Sequence, residues 1–294
     1  MSDYLDLPHG LVHWRDYGGT GQPIVMVHGL GGSIANWDFL GPRLSARGHV
    51  VAIDLPGFGL SPPGRDWSLD THCAAIIDVI EHLGPPAVLV GNSLGALLSE
   101  IVAARHPRLV DALVLISPAT PPTFPDPYIY WPNARRLVLN ATPVIGPAIS
   151  RRMVASMTSE EIINDSLRRI VHKPGSVPID MVEAFIDVAE KRRHLPWTTD
   201  AVPKTGQAIR NFLLRRSRFV SMIRDIQAPT LVVHGVADRI VSRTWVERLC
   251  YLRPDWTLVQ MEGTGHTPQI DAPVRTLSVI ETWLERHLKR EMTA

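Results

Sequence analysis

Cysteine is nearly missing from this chain. Two occur in 294 residues, Cys73 and Cys250, far apart and outside any Cys-x-x-Cys spacing. That spacing excludes a disulfide framework and a structural zinc site. Long hydrophobic runs are missing as well, since no stretch approaches the roughly 18 uninterrupted apolar residues of a membrane span. Neither sign of charge is in excess: 30 Lys+Arg stand against 29 Asp+Glu, a formal net charge of +1. A nucleic-acid partner is therefore not expected. The opening MSDYLDLPHG carries no basic segment followed by an apolar core, so no secretory signal is read there and the expected compartment is cytoplasmic. Internal repeats and low-complexity tracts do not occur.

What is present is ordinary globular material, 45% hydrophobic and 20% charged. It suffices for one large α/β domain or one domain with an insert. The segments PIVMVHG, HVVAIDLPG, AVLVGNS, ALVLISPA, TLVVHG and TLVQMEG are short apolar or β-prone runs ended by glycine or proline. Fully buried parallel strands have this character. LVHWRDYG follows a His-Gly turn and alternates as a half-exposed strand does. Between these runs, helices are predicted over residues 35–47, 68–83, 95–106, 242–252 and 273–289. The alternation predicts a mostly parallel sheet with helices on both faces.

From about Pro121 to Ile226 the alternation stops. A proline-rich entry, TPPTFPDPYIYWP, leads into helices predicted over 133–140, 143–157, 159–171, 178–193 and 206–224. This segment carries 16 Lys+Arg against 10 Asp+Glu. Residues 1–120 and 227–294 are read as the α/β core, and 121–226 as a helical cap, or lid, inserted over the strand ends. Its paired arginines, among them Arg151-Arg152 and Arg192-Arg193, are read as solvated helix faces.

Open α/β sheets bind ligands beyond the carboxyl ends of their strands. The residues found there are HGLGGS, DLPGFGLS, GNSLGA, HGVADRIV and GTGHTPQIDAP. Gly91-Asn92-Ser93-Leu94-Gly95 places a serine between two glycines at a strand-to-helix corner. It is either a plain glycine loop or a nucleophile held out on a strained turn. A serine needs a general base, because it is a weak nucleophile at its free pKa. The polar residues at these ends come in the order serine, acid, histidine.

That order, at those positions, resembles the α/β-hydrolase superfamily, the capped serine hydrolases in particular. The resemblance runs from about Leu11 to His287 and is weakest in 121–226. It implies an eight-stranded sheet, Ser93 as nucleophile, His266 as general base and Asp238 as the acid that orients the imidazole. Asp126 and Asp54 are competing acids. The backbone N–H of Leu94, at a helix N-terminus, is the first oxyanion donor; by resemblance the second is that of Leu30, beside Gly31 and Gly32. His28 and His234 each precede a glycine and are read as backbone or packing contacts.

Haloalkane dehalogenases and epoxide hydrolases of this architecture use an aspartate nucleophile, and position 93 is serine. Hydrolases that split carbon–carbon bonds of ring-cleavage products also use serine, with a cap arginine and a Trp after the histidine; this chain has Thr267 there. Some members of the fold only bind ligands. The reading adopted is a serine carboxylesterase or lipase-like hydrolase acting on an apolar ester, with no metal and no organic cofactor; the alternatives are a C–C bond hydrolase and a ligand-binding protein. Tyr128, Tyr130, Trp131, Met153, Met157, Phe185 and Trp197 are read mostly as the cap's own core, some facing the cleft. A basic cap is also attracted to anionic lipid surfaces, so peripheral lipid contact is a further expectation.

Overall fold

The computed structural model describes residues 2–288. Its strands are β1 (Ser2–Leu7), β2 (Gly10–Gly18), β3 (Pro23–Val27), β4 (His49–Ile53), β5 (Ala87–Asn92), β6 (Val110–Ile116), β7 (Thr230–Gly235) and β8 (Thr257–Met261). They form one eight-stranded sheet in the order β1-β2-β4-β3-β5-β6-β7-β8. β1 pairs antiparallel with β2, and β2 with β4; all later pairings are parallel. The sheet is therefore the mostly parallel one that the segment pattern predicts. β1 is the strand that no apolar run announces. It is an edge strand, and an edge needs no continuous hydrophobic run.

Before β6 come helices α1 (Gly41–Leu44), α2 (Leu69–Leu83) and α3 (Leu94–Arg105). Between β6 and β7 lie α4 (Trp131–Asn140), α5 (Ile145–Ser156), α6 (Ser159–Ile170), α7 (Ile179–Arg193), α8 (Thr198–Leu213) and α9 (Arg216–Asp225). After β7 follow α10 (Arg243–Leu252), α11 (Pro268–Asp271) and α12 (Pro273–Leu288).

All five residues of β3 are buried, and successive side chains face opposite ways. Ile24 and Met26 pack with Val90, Val114 and, from α12, Ile280 and Trp283. Val25 and Val27 pack on the other side with Leu89, Leu97 and Ile101 of α3, and Ile76 of α2. Both faces of the sheet are thus dry, which is why the central strands read as unbroken apolar runs. Among the inserted helices a smaller cluster joins Leu167, Val171, Met181 and Phe185 to Ala35 and Ile270 of the core.

Two predicted helices are corrected. The span 35–47 is a 3-10 turn over Ile34–Trp37 followed by the single turn α1. Pro42 lacks the N–H that a continuous helix would need there. Likewise 206–224 is two helices: α8 starts earlier, at Thr198, and carries Pro203 inside it. The chain bends at Arg215, with φ −88° and ψ 63°. The bend lets α9 bury Phe219, Met222 and Ile223 in the main core, and that burial outweighs the propensity for one long helix.

Candidate active site

Ser93 sits where β5 ends and α3 begins. Its φ of 54° and ψ of −108° lie in a region that L-residues rarely occupy. Three backbone bonds hold it there: Ser93 N–H donates to Ile116 O at 2.9 Å, and Ser93 O accepts from Leu97 and Ala119 at 3.1 and 3.2 Å. The flanking glycines answer a steric demand. A Cβ on Gly95 would run into the carbonyl oxygen of Val27, and one on Gly91 into the backbone of Gly95 and Ala96. The two glycines let the corner close tightly enough to turn the serine outward.

His266 follows β8 in a turn, and its Nδ1–H donates to Asp238 Oδ2 at 2.8 Å. Asp238 follows β7, and its Oδ1 accepts from the N–H groups of Ile240 and Val241 at 2.7 and 3.0 Å. Burial alone would push its carboxyl up, but His266 and these donors hold it below the ordinary carboxylate range. Asn92 links this pair to the corner: its Nδ2 donates to the carbonyls of Ile116 and His266 at 3.1 and 3.3 Å. Ser93 Oγ makes no hydrogen bond to His266 among the described residues. Such links are often long before substrate binds.

The competing acids are occupied elsewhere. Asp54 accepts from Ile34 N–H and Leu60 N–H, each at 2.8 Å, and from His13 Nδ1 at 2.6 Å. Asp126 accepts from Tyr128 N–H at 2.9 Å. Neither is hydrogen-bonded to His266 among the described residues.

The loop after β3 lies directly over the serine, since a Cβ on Gly29 would sit 3.3 Å from Ser93 Cβ. His28 pins this loop from below. Its Nδ1–H donates to Gly29 O at 2.7 Å and its Nε2 accepts from Leu55 N–H at 3.0 Å. Burial keeps this imidazole below its usual range, hence neutral, as the tautomer requires. The N–H groups of Leu30 and Leu94 have no acceptor among the described residues. They stand on the two segments that flank Ser93.

Some contacts escape the sequence. The end of α6 reaches the histidine turn, where His266 N–H donates to Ile170 O at 2.7 Å. Asp271 ties the same two segments together, accepting from Gly265 N–H and, at 2.8 Å, from His172 N–H. Asp271 is visible in GTGHTPQIDAP, but nothing in the sequence says that residue 172 comes near it. The last arginine pair of α7 is a correction. Arg193 donates to Val154 O and Met157 O, each at 2.6 Å, capping the end of α5. Arg192 lies half-buried with Nη1 3.5 Å from Gly31 O and its guanidinium 5.8 Å over the Phe58 ring. His234 is buried as read, but both of its ring nitrogens lack hydrogen-bond partners among the described residues, and Nδ1 is 3.8 Å from Asp238 Oδ2. Of the aromatic residues assigned to a cap core, Phe185 is buried, whereas Tyr128, Tyr130 and Trp131 are exposed.

The chain has relatives along nearly its whole length. It is 36% identical to the pimeloyl-[acyl-carrier protein] methyl ester esterase of Methylococcus capsulatus, over 90% of this chain and 96% of that protein. It is 30% identical to the 2-hydroxy-6-oxo-2,4-heptadienoate hydrolase of Pseudomonas putida, over 86% and 85%. Haloalkane dehalogenase 2 of Mycobacterium tuberculosis is also 30% identical, over 95% and 93%. These relatives carry different reactions on one framework, so identity alone does not choose among them. Residues 24–279 match the model of the alpha/beta hydrolase family, and with a strained serine corner on an eight-stranded, mostly parallel sheet this chain belongs to that family.

Proposed function

We propose that this protein is a serine hydrolase that cleaves carboxylic esters with apolar acyl or alcohol groups. The observation that carries the reading is the strained Ser93 corner joined, through Asn92, to a buried His266–Asp238 pair. Ser93 Oγ attacks the ester carbonyl while His266 Nε2 takes its proton. Asp238 holds the ring by Nδ1 and offsets the charge that develops on it. The oxyanion meets the N–H groups of Leu30 and Leu94, donors worth roughly 3 kcal/mol each in such sites. His266 then gives the proton to the leaving alcohol, and water resolves the acyl-enzyme by the same steps in reverse. Residues 121–226 act as the cap, with Ile170, Arg192 and Val202 among its contacts with the site.

The esterase among the relatives supports this chemistry. A screen of aryl and alkyl esters of graded chain length, run beside a vinylogous diketone, tests it. Ester turnover with covalent trapping by an organophosphonate is the expected result, and diketone turnover alone would replace it.

One observation favours C–C bond hydrolysis as a second reading. Arg192 has no carboxylate partner among the described residues, yet it points at the loop over Ser93. A cation there suits a substrate bearing an anionic group, as the name of the heptadienoate hydrolase implies for that relative. Arg192→Met separates the readings. With a neutral ester it should leave KM within about twofold, whereas for an anionic diketone it should raise KM roughly tenfold or more, the loss of one charge-assisted hydrogen bond.

A further inference from the structure

More than half of the exposed large apolar side chains among the described residues fall within residues 124–145. Trp131 is 65% exposed and Val144, at the tip between α4 and α5, is 80% exposed. Solitary exposed leucines need no explanation, but a contiguous aromatic and aliphatic patch does. The spacing makes it one face. Trp131, Arg135 and Val138 stand at i, i+4 and i+7 on α4, and Ile145, Ala148 and Arg152 follow the same period on α5. The two helices pack against each other, with Asn133 and Gly146 turned inward.

The charge of the same stretch is one-sided. Residues 127–159 contain four arginines and no aspartate or glutamate. Arg136 is taken up by Asp165 at 2.8 Å. Arg135, Arg151 and Arg152 form no ion pair among the described residues. At the near edge two tyrosines carry further cations: the Arg243 guanidinium lies 3.7 Å over Tyr128, and that of Arg239 lies 5.7 Å over Tyr130. Asp126, the acid of the entry segment, has its Oδ1 held by Tyr128 N–H, and Asp238 beneath the same edge is paired with His266.

Exposed aromatic and aliphatic tips interleaved with unpaired arginines are complementary to one kind of surface. Apolar tips enter the acyl boundary, tyrosine and tryptophan sit at headgroup level, and arginines meet phosphate. We infer that the outward face of α4 and α5 docks this protein peripherally on an anionic phospholipid bilayer. Val144 supplies the leading tip, at φ 68°, a conformation costly for a β-branched residue in a merely solvated loop. On the inward side of α4, Asn133 Nδ2 donates to Arg239 O at 3.0 Å, so the helix that presents this face also abuts the loop that carries Asp238. Docking therefore brings the site's neighbourhood to the membrane surface. No helix of the described residues is long and apolar enough to cross a membrane, so the contact is with the interface alone.

Co-sedimentation of the full chain tests this, using vesicles of phosphatidylcholine alone and of equal parts phosphatidylcholine and phosphatidylglycerol. The expected result is binding to the anionic vesicles that weakens as salt is raised. Arg151→Gln with Arg152→Gln should lower the partition coefficient roughly twenty-fivefold, about fivefold for each arginine. Trp131→Ala with Val144→Ser should lower it at every salt concentration. Circular dichroism and melting curves verify that both variants are folded. Ser93→Ala should bind as the wild type does, so the inference stands apart from the hydrolase reading. Absence of binding at low salt overturns it, as does wild-type binding by both surface variants. A dimer that the Trp131 and Val144 changes convert to monomer, without vesicle binding, assigns the face to a second copy and overturns it equally.

Discussion

Ser93→Ala removes one oxygen from a corner whose backbone is held by Ile116, Leu97 and Ala119, so the fold should survive. Turnover of any ester the protein cleaves should drop roughly 10⁴-fold or more, and organophosphonate labelling should vanish. Labelling that persists with activity retained would show another nucleophile. Asp238 tests the orienting role. Asp238→Asn keeps the shape but leaves His266 Nδ1 facing an amide, so kcat should fall roughly 10²–10⁴-fold with KM little changed. Asp126→Asn should leave steady-state kinetics near wild type, because that carboxylate is engaged with Tyr128. The opposite pattern would move the acid to the strand before. The resemblance favours Asp238 and leaves Asp126 as a competitor; in the structure it is Asp238 that makes the 2.8 Å bond to His266.

At the scale of elements, the corner between β5 and α3 depends on how closely backbones approach. Gly95→Ala pushes a methyl group into Val27 O, inside a packed core that cannot give way. It should destabilise by roughly 1–3 kcal/mol or more, with activity lost beyond what unfolding explains, because Val27 leads into the loop over Ser93. Gly175, in the short 3-10 turn Pro174–Ser176, has open space where a Cβ would go and no positive φ. Gly175→Ala should be neutral or stabilising by about 0.4–1 kcal/mol. Urea denaturation of the two variants checks the contrast. Equal effects would mean that glycine content, and not close approach, sets the corner. Element boundaries were less legible. The helix read as 206–224 divides at Arg215 because Phe219, Met222 and Ile223 reach the core only after a change of direction.

At the scale of the whole molecule, Glu100 is an ionisable group whose burial opposes stability at neutral pH. Glu100 on α3 is fully buried, and neither carboxylate oxygen has a hydrogen-bond partner among the described residues. Burial holds its carboxyl well above the ordinary glutamate value, so the folded state holds the proton to higher pH than the unfolded chain does. The unfolded chain releases it near about pH 4.3. Its contribution is therefore whole below that pH and is lost as pH rises toward the folded value. Asp238, held low, has the opposite sign: its contribution is present at neutral pH and lost as acid is added. Glu100→Gln should raise Tm more at pH 8 than at pH 5, as read by calorimetry. A Tm difference independent of pH would mean that Glu100 is already ionised in the native state.

The amino-acid sequence by itself determined the sheet, because burial on both faces forces unbroken apolar runs in β3, β5 and β7. It determined the serine corner too, since a glycine on each side of Ser93 is a local steric requirement written within five residues. The tertiary structure alone decided what depends on side chains distant in sequence. Arg192 was indistinguishable from the other paired arginines until α7 placed it beside Gly31. Asp271 gained its role when α6 brought His172 to it across 99 positions. Tyr128, Tyr130 and Trp131 have the composition of a core; whether an amphipathic helix buries or exposes such residues depends on which neighbour covers it. Here only the guanidinium groups of Arg243 and Arg239 lie over the two tyrosines, and an aromatic stretch that reads as interior lies largely on the surface.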